Sequence, residues 1–308
     1  MFNCGHGVSP RLTSQGDVGT ISDESKLSQV KLMSPQQLYE LWEKQNWVSH
    51  TIGFETDTAQ WQDFDEQTKG EIAWSLSSFF IGEERVTTQF SGLVMAYEDQ
   101  SEEAFLTTQQ VDEARHAQHF NRFYEQVVGL DMTFDERLRD VRRHVSDAFI
   151  TLFDEHLVQA NQRLVADPRD IEAKVDFVTA YHMVIEGTLA LTGQYTITDW
   201  CERTGNLPGF LEGYKRISQD EHRHVAYGTW FLQQKCKDPA LARRVLDKLA
   251  ELLPLAAGVL APPGIDPFTE EWELMGFKSA EVNEFAFKAL TRRLKVIGVP
   301  LPTVGAAA

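Results

Sequence analysis

The pairs Glu113-x-x-His116 and Glu221-x-x-His224 are the residues of this sequence best suited to chemistry, because each sets a carboxylate and an imidazole three positions apart. On a helix such residues are separated by about 60° and one turn, so each pair projects from one face and could share a metal ion. Two further acidic groups interrupt strongly apolar runs: Glu83 in Phe80-Ile81-Gly82-Glu83-Glu84 and Glu186 in Met183-Val184-Ile185-Glu186-Gly187. Ionised carboxylates are rarely buried unless they are paired or metal-bound. Two lone glutamates with two Glu-x-x-His pairs make up the ligand set of a dinuclear carboxylate site inside a helical bundle. The grouping can be checked against the turns. Midway between Glu83 and Glu113 lies Glu98-Asp99-Gln100-Ser101-Glu102, and midway between Glu186 and Glu221 lies Arg203-Thr204-Gly205-Asn206-Leu207-Pro208. Both are turn-like, so each lone glutamate faces the pair of the next helix across a hairpin. Glu83 and Glu84 point about 100° apart, so one can face inward and the other outward.

These residues need long helices to hold them, and the apolar periodicity supplies them over about 66–97, 102–128, 134–165, 170–203 and 208–235. A shorter helix over 36–45 precedes them, opened by Ser34-Pro35 as a cap and first-turn proline. Two amphipathic helices follow, 238–258 and 268–295, and no stretch reads convincingly as a strand. The expectation is an all-α fold: a four-helix bundle core with additional helices and the dinuclear site inside it. Residues 1–30, rich in Ser, Gly, Thr and Asp, read as a flexible arm, 31–297 as one helical domain and 298–308 as a flexible tail. Cys4 and His6 in the arm read as incidental. Asp112 and Asp220, immediately before the paired glutamates, could orient an imidazole through its second nitrogen. Gly187 and Gly193, costly inside a helix by about 1 kcal/mol each, mark either close packing or space for a ligand.

Whole-chain properties narrow the classes. A formal net charge of −17 over 308 residues argues against nucleic acid or anionic membranes as partners. No apolar run reaches membrane-spanning length. Cys4, Cys201 and Cys236 form neither a Cys-x-x-Cys pair nor an even framework, which points to a reducing compartment, the cytoplasm by default.

With these residues assembled, residues 60–260 resemble the ferritin-like superfamily, and within it the branch of the small, radical-generating subunit of class I ribonucleotide reductase. Those subunits typically carry a tyrosine four residues after the first ligand histidine; here that position is Phe120. The segment from Gly298 onward is also unlike their docking tail. The sequence is more similar to the ligand-binding oxidases related to that subunit, through Gly82-Glu83-Glu84-Arg85-Val86-Thr87, the run Tyr181 to Gly193, and Asp220 to Thr229. The register settles Glu83 over Glu84.

The resemblance implies a manganese/iron centre, with di-iron as the alternative. Glu83, Glu113 and His116 would hold one metal, and Glu186, Glu221 and His224 the other, with Glu113 bridging. It implies O2 activation, two-electron C–H oxidation and a long-chain fatty acid at the metals, in a pocket expected near Phe120, Phe177 and Gly187. It also implies an unidentified electron donor, a homodimer, and an ether cross-link between Val86 Cβ and the Tyr181 oxygen. Spacing alone does not show that link, since Tyr181 and Glu186 lie about 140° apart on an ideal helix. The alternatives are a ribonucleotide reductase small subunit, an N-oxygenase with one more ligand histidine (His119, His182 and His222 being the spare ones), and an iron-storage bundle.

Overall fold

The computed structural model describes residues 24–301; Cys4 and His6 lie outside them. Helix α1 (Pro35–Gln45) opens with the Ser34 capping box completed by Gln37. Helix α2 (Glu55–Asp63) leads into α3 (Glu66–Gln89), capped by Asp65. The helix expected over 66–97 is divided at Phe90 into α3 and α4 (Ser91–Met95). The Gly92 amide donates to Asn161 Oδ1 at 2.9 Å instead of continuing the ladder. Helix α5 (Gln100–Phe123), capped by Asp99, runs into a π turn over Tyr124–Val128.

The helix expected over 134–165 is three pieces: α6 (Phe134–Val141), α7 (Asp147–Ile150) and α8 (Leu157–Ala166), with a π segment, Thr151–His156, between the last two. Ser146 starts the second piece by accepting from the Phe149 amide at 3.2 Å. Next come α9 (Ile171–Val178), a twelve-residue π segment Thr179–Ala190, and α10 (Leu191–Thr204). Gly205 ends α10 in the left-handed region at φ 70°. Helix α11 (Pro208–Lys235) has no cap of its own; Asp57 of α2 accepts from the Gly209 and Phe210 amides at 2.9 and 2.7 Å.

Helices α3, α5, the α9–α10 run and α11 form the bundle around the buried Glu83, Glu113, Glu186 and Glu221. Helix α12 (Pro239–Leu260) packs on the π segment, α7 and α9, and α13 (Ser279–Ile297) packs on the π segment and α11. The last helix is shorter than the expected 268–295. A two-residue hairpin, Glu273–Leu274 with Phe277–Lys278, precedes it, turning through Met275 and Gly276, both at positive φ. Glu24–Gln29 forms a short 3-10 helix, with Leu27 and Leu32 buried against Val296, and Val299 joins the main core. No helix among the described residues is long and apolar enough to cross a membrane.

Candidate metal centre

Each glutamate of the pattern arrives from a different element: Glu83 from α3, Glu113 from α5, Glu186 from the π segment and Glu221 from α11. His116 and His224 sit one turn beyond the paired glutamates. All six residues are buried, and their ligand atoms form two overlapping groups: Glu83, Glu113, His116 and Glu221, and Glu113, Glu186, Glu221 and His224. His116 Nδ1 lies 3.4 Å from Glu83, 3.6 Å from Glu113 and 3.5 Å from Glu221. His224 Nδ1 lies 3.0 Å from Glu113, 3.1 Å from Glu186 and 3.7 Å from Glu221. Glu221 therefore spans both groups as Glu113 does, where the sequence reading has a single bridge.

The two aspartates orient the imidazoles, each crossing to the histidine of the other helix. His116 Nε2 donates to Asp220 Oδ2 at 3.1 Å, and His224 Nε2 to Asp112 Oδ2 at 3.2 Å. Arg223 ties the aspartates together, at 2.9 Å from Asp112 and 2.5 Å from Asp220. Trp47 Nε1 donates to Asp220 at 2.7 Å and Trp42 Nε1 to Asp112 at 2.9 Å. Burial alone would raise the Asp220 carboxyl, but His116, Arg223 and Trp47 bring it down to about 2. With both Nε2 atoms committed, both Nδ1 lone pairs face the carboxylates.

That donor set fits a metal pair. Buried His116 Nδ1, Glu186 Oε2 and Glu221 Oε2 have no hydrogen-bond partner within the protein, a cost rarely left standing. Four carboxylates also balance the charge of two divalent cations, and nitrogen-plus-oxygen sets suit first-row transition metals. Without metal the cluster must hold protons. Burial opposes charge on His116 and His224, yet the Glu83 charge raises the first well above the usual imidazole value, and those of Glu113 and Glu186 the second. Burial pushes Glu83 and Glu186 well up, while the two imidazoliums overcome burial at Glu113 and hold it well down.

A pH dependence follows. Groups whose pKa is raised on folding contribute stability below their unfolded values and lose it as pH rises through the folded ones. The melting temperature of metal-free protein is therefore expected to fall as pH increases above 6.5, the ordinary imidazole value. Metal affinity should rise over the same range, because binding releases those protons. A metal-free protein whose stability grew with pH would contradict this protonation scheme.

The spare histidines stay outside both groups. His119 is buried, contacts Ser49 Oγ at 3.2 Å and, pushed by burial down to about 3, remains neutral. His222 Nδ1 faces the Ser218 carbonyl and His156 pairs with Glu251. His182 is nearer. Gln109 Nε2, fully buried on α5, lies 3.3 Å from His182 Nε2, 3.3 Å from the Tyr181 hydroxyl and 3.2 Å from Glu186 Oε1. Gln109 escaped the sequence reading, although it stands one turn before Glu113 on the same face.

An apolar cavity opens from the cluster. Its walls include Glu83, Val86, Glu113, Tyr181, Glu186 and Glu221, together with Leu260, Trp272, Leu274 and Val282. It offers about 110 Å³ to water-sized groups, where one water needs about 10–15 Å³. Phe120, Phe177 and Gly187, expected at the pocket, are not on its walls. Phe120 stacks on Phe79 at 5.9 Å and Phe177 on Tyr181 at 5.8 Å. Gly187 is a packing glycine: a Cβ there would lie 2.5 Å from the His182 carbonyl oxygen. Gly193, by contrast, does line the cavity, where a Cβ would meet Phe79 at 2.6 Å.

Residues 25–300 match the family model described as ribonucleotide reductase, small chain. The chain belongs to that family. Membership places this small-chain protein among dinuclear metal-dependent oxidoreductases of the ferritin-like fold. Similar solved structures include a variant of an R2-like ligand-binding oxidase with an anaerobically reconstituted Mn/Fe cofactor. It is 27% identical with a TM-score of 0.74, over 86% of this small-chain protein and 94% of that chain. A second variant of such an oxidase, with an aerobically reconstituted Mn/Fe cofactor, is 26% identical with a TM-score of 0.72, over 87% and 94%.

Proposed function

We propose that this protein is an O2-activating oxidase whose manganese/iron pair is held by Glu83, Glu113, His116, Glu186, Glu221 and His224. It takes a long-chain fatty acid or similar apolar molecule into the adjoining cavity and oxidises a C–H bond by two electrons, with Val86 and Tyr181 joined by an ether link. The observation that carries this reading is that the four carboxylates, Val86 and Tyr181 share one apolar cavity. A second observation supports it. In the similar oxidase structures a substituted glycine and a substituted valine stand four residues apart, the spacing of Gly82 and Val86.

When bound, the metal pair supplies O2 activation and an oxidising strength that no side chain has. The protein's own groups do the rest. The Tyr181 hydroxyl donates to Glu113 Oε1 at 2.5 Å. Burial and the charge of Glu113 hold that phenol well above its usual pKa, so it keeps its proton until a base takes it. Glu113, which accepts the phenol's hydrogen bond, is the base placed to take it. Ether formation removes the Val86 Cβ hydrogen and the Tyr181 hydroxyl hydrogen, two electrons and two protons in all, and O2 is the acceptor. Gln109 fixes the phenol against Glu186. The apolar walls keep water from competing with the C–H bond. An external electron donor returns the electrons that later turnovers consume. A radical-storage role is disfavoured by Phe120, which lies among Phe79, Phe210 and Tyr214 and has no hydroxyl to oxidise.

The test is peptide mass spectrometry on protein loaded anaerobically with manganese and iron and then exposed to O2. Joined Val86 and Tyr181 peptides, lighter by two hydrogens, are expected. Val86→Ala should keep both metals and lose the link; a link that survived this substitution would be a different one.

A further inference from the structure

Tyr227 of α11 is fully buried, and its hydroxyl donates to Glu102 Oε1 at 2.6 Å. The same oxygen accepts from buried Lys174 Nζ at 2.8 Å. A buried ammonium–carboxylate pair stabilises a fold little, since desolvation offsets its attraction. A phenol joined to that pair therefore calls for another role.

Its neighbours suggest one. The His182 ring lies 5.3 Å from Tyr227, and His182 packs on Tyr181 at 4.7 Å. On the other side Trp230, half-buried, lies 6.1 Å away. These separations fall within direct aromatic contact. Gly228 permits the close approach, because a Cβ there would lie 2.2 Å from His182 Cβ. Gln109 links His182 to Glu186 at the inner end. A chain of ring contacts thus leads from the carboxylate cluster to half-buried Trp230, and within it Tyr227 has a carboxylate placed to take its proton.

We propose that Tyr227 is a redox relay that carries single electrons between Trp230 at the surface and the metal centre, handing its phenolic proton to Glu102. The centre's role as oxidant rests on the function proposed above. Tyr227 would give one electron to a bound, oxidising centre by way of Tyr181 and His182, while its O–H proton moves to Glu102 Oε1. Trp230 then reduces the phenoxyl radical and Glu102 returns the proton. A one-electron reductant of the thiol or ascorbate class in solution restores Trp230. The net transfer is one electron from solute to centre, with no proton gained or lost by the Tyr227–Glu102 pair. The competing route runs through Trp42 and Trp47, whose indoles donate to Asp112 and Asp220.

Two measurements on the full chain test the relay. In metal-free protein, a flash-generated ruthenium(III) polypyridyl oxidant is used to oxidise surface tryptophan, and transient absorption follows the tyrosyl band. Wild type should show tyrosyl and tryptophanyl bands in exchange and decaying together, and both Tyr227→Phe and Trp230→Phe should lose the tyrosyl component. In protein loaded with manganese and iron and exposed to O2 without reductant, peptide mass spectrometry should find oxygen adducts at Trp230. Tyr227→Phe should lose those adducts and gain oxidation near Tyr181–Met183, while still binding two metals. A tyrosyl signal unchanged in Tyr227→Phe, or adducts at Trp42 or Trp47 with Trp230 unmodified, overturns the relay. A Tyr227-dependent signal in metal-free protein with no oxidation anywhere in loaded protein upholds the relay and overturns the oxidising centre.

Discussion

Glu113→Ala is expected to lose metal from both positions at once, taking the bound content from two per chain to well below one after dialysis against a chelator. Glu113 belongs to both ligand groups, so its removal leaves each with fewer donors and takes away part of the charge that balances the cations. Changing residues that merely orient ligands typically lowers metal affinity about 10- to 100-fold, and removing a shared ligand should cost more. The substitution also strips Tyr181 of its 2.5 Å acceptor, so the ether link should disappear even where some metal remains. Glu84→Ala is the matched control, one residue from Glu83 but half-buried and outside both groups; it should keep both metals. Metal quantitation decides the matter. Two metals per chain in Glu113→Ala would mean that the cluster is not the binding site.

The residues of this cluster were legible in the sequence because a 3.6-residue period places Glu113 with His116 and Glu221 with His224, and because the turns fall midway between hairpin partners. What stayed hidden has a common cause: it depends on departures from that period or on contacts between elements. Tyr181 and Glu186 diverge on an α-helix, but Thr179–Ala190 is a π segment, whose i→i+5 bonding brings residues five apart toward one face. Asp112 and Asp220 were recognised as imidazole partners, yet which histidine each serves is set by packing between α5 and α11, and each reaches across to the other helix. The membership of Glu221 in both ligand groups has the same origin. The walls of the cavity are not legible in the sequence, because part of them comes from Trp272, Leu274 and Val282, residues far along the chain with no spacing relation to the metal pattern. Of the two helix glycines, Gly193 borders the cavity and Gly187 serves packing; composition could not separate them.

The cavity assignment yields the second large expected effect: Ala190→Phe should keep both metals while losing the apolar ligand. Ala190 lines the cavity one helical turn beyond Glu186, so a phenyl ring there would occupy space that an alkyl chain needs without touching a carboxylate. A ligand forced to share an overpacked site meets a penalty of about 1–3 kcal/mol, which is about 5- to 150-fold in affinity. Co-purifying lipid, extracted and quantified by mass spectrometry, should therefore fall by at least that factor relative to wild type. Loss of lipid through misfolding would look different. Filling an apolar void usually leaves stability unchanged or raises it, so Ala190→Phe should melt no lower than wild type and still hold two metals per chain. The Val86–Tyr181 link is expected to form in this variant, because Tyr181 keeps its hydrogen bond to Glu113 and Val86 its place one turn beyond Glu83. Lipid retained at the wild-type level would place the ligand elsewhere and leave the cavity with no part in substrate binding.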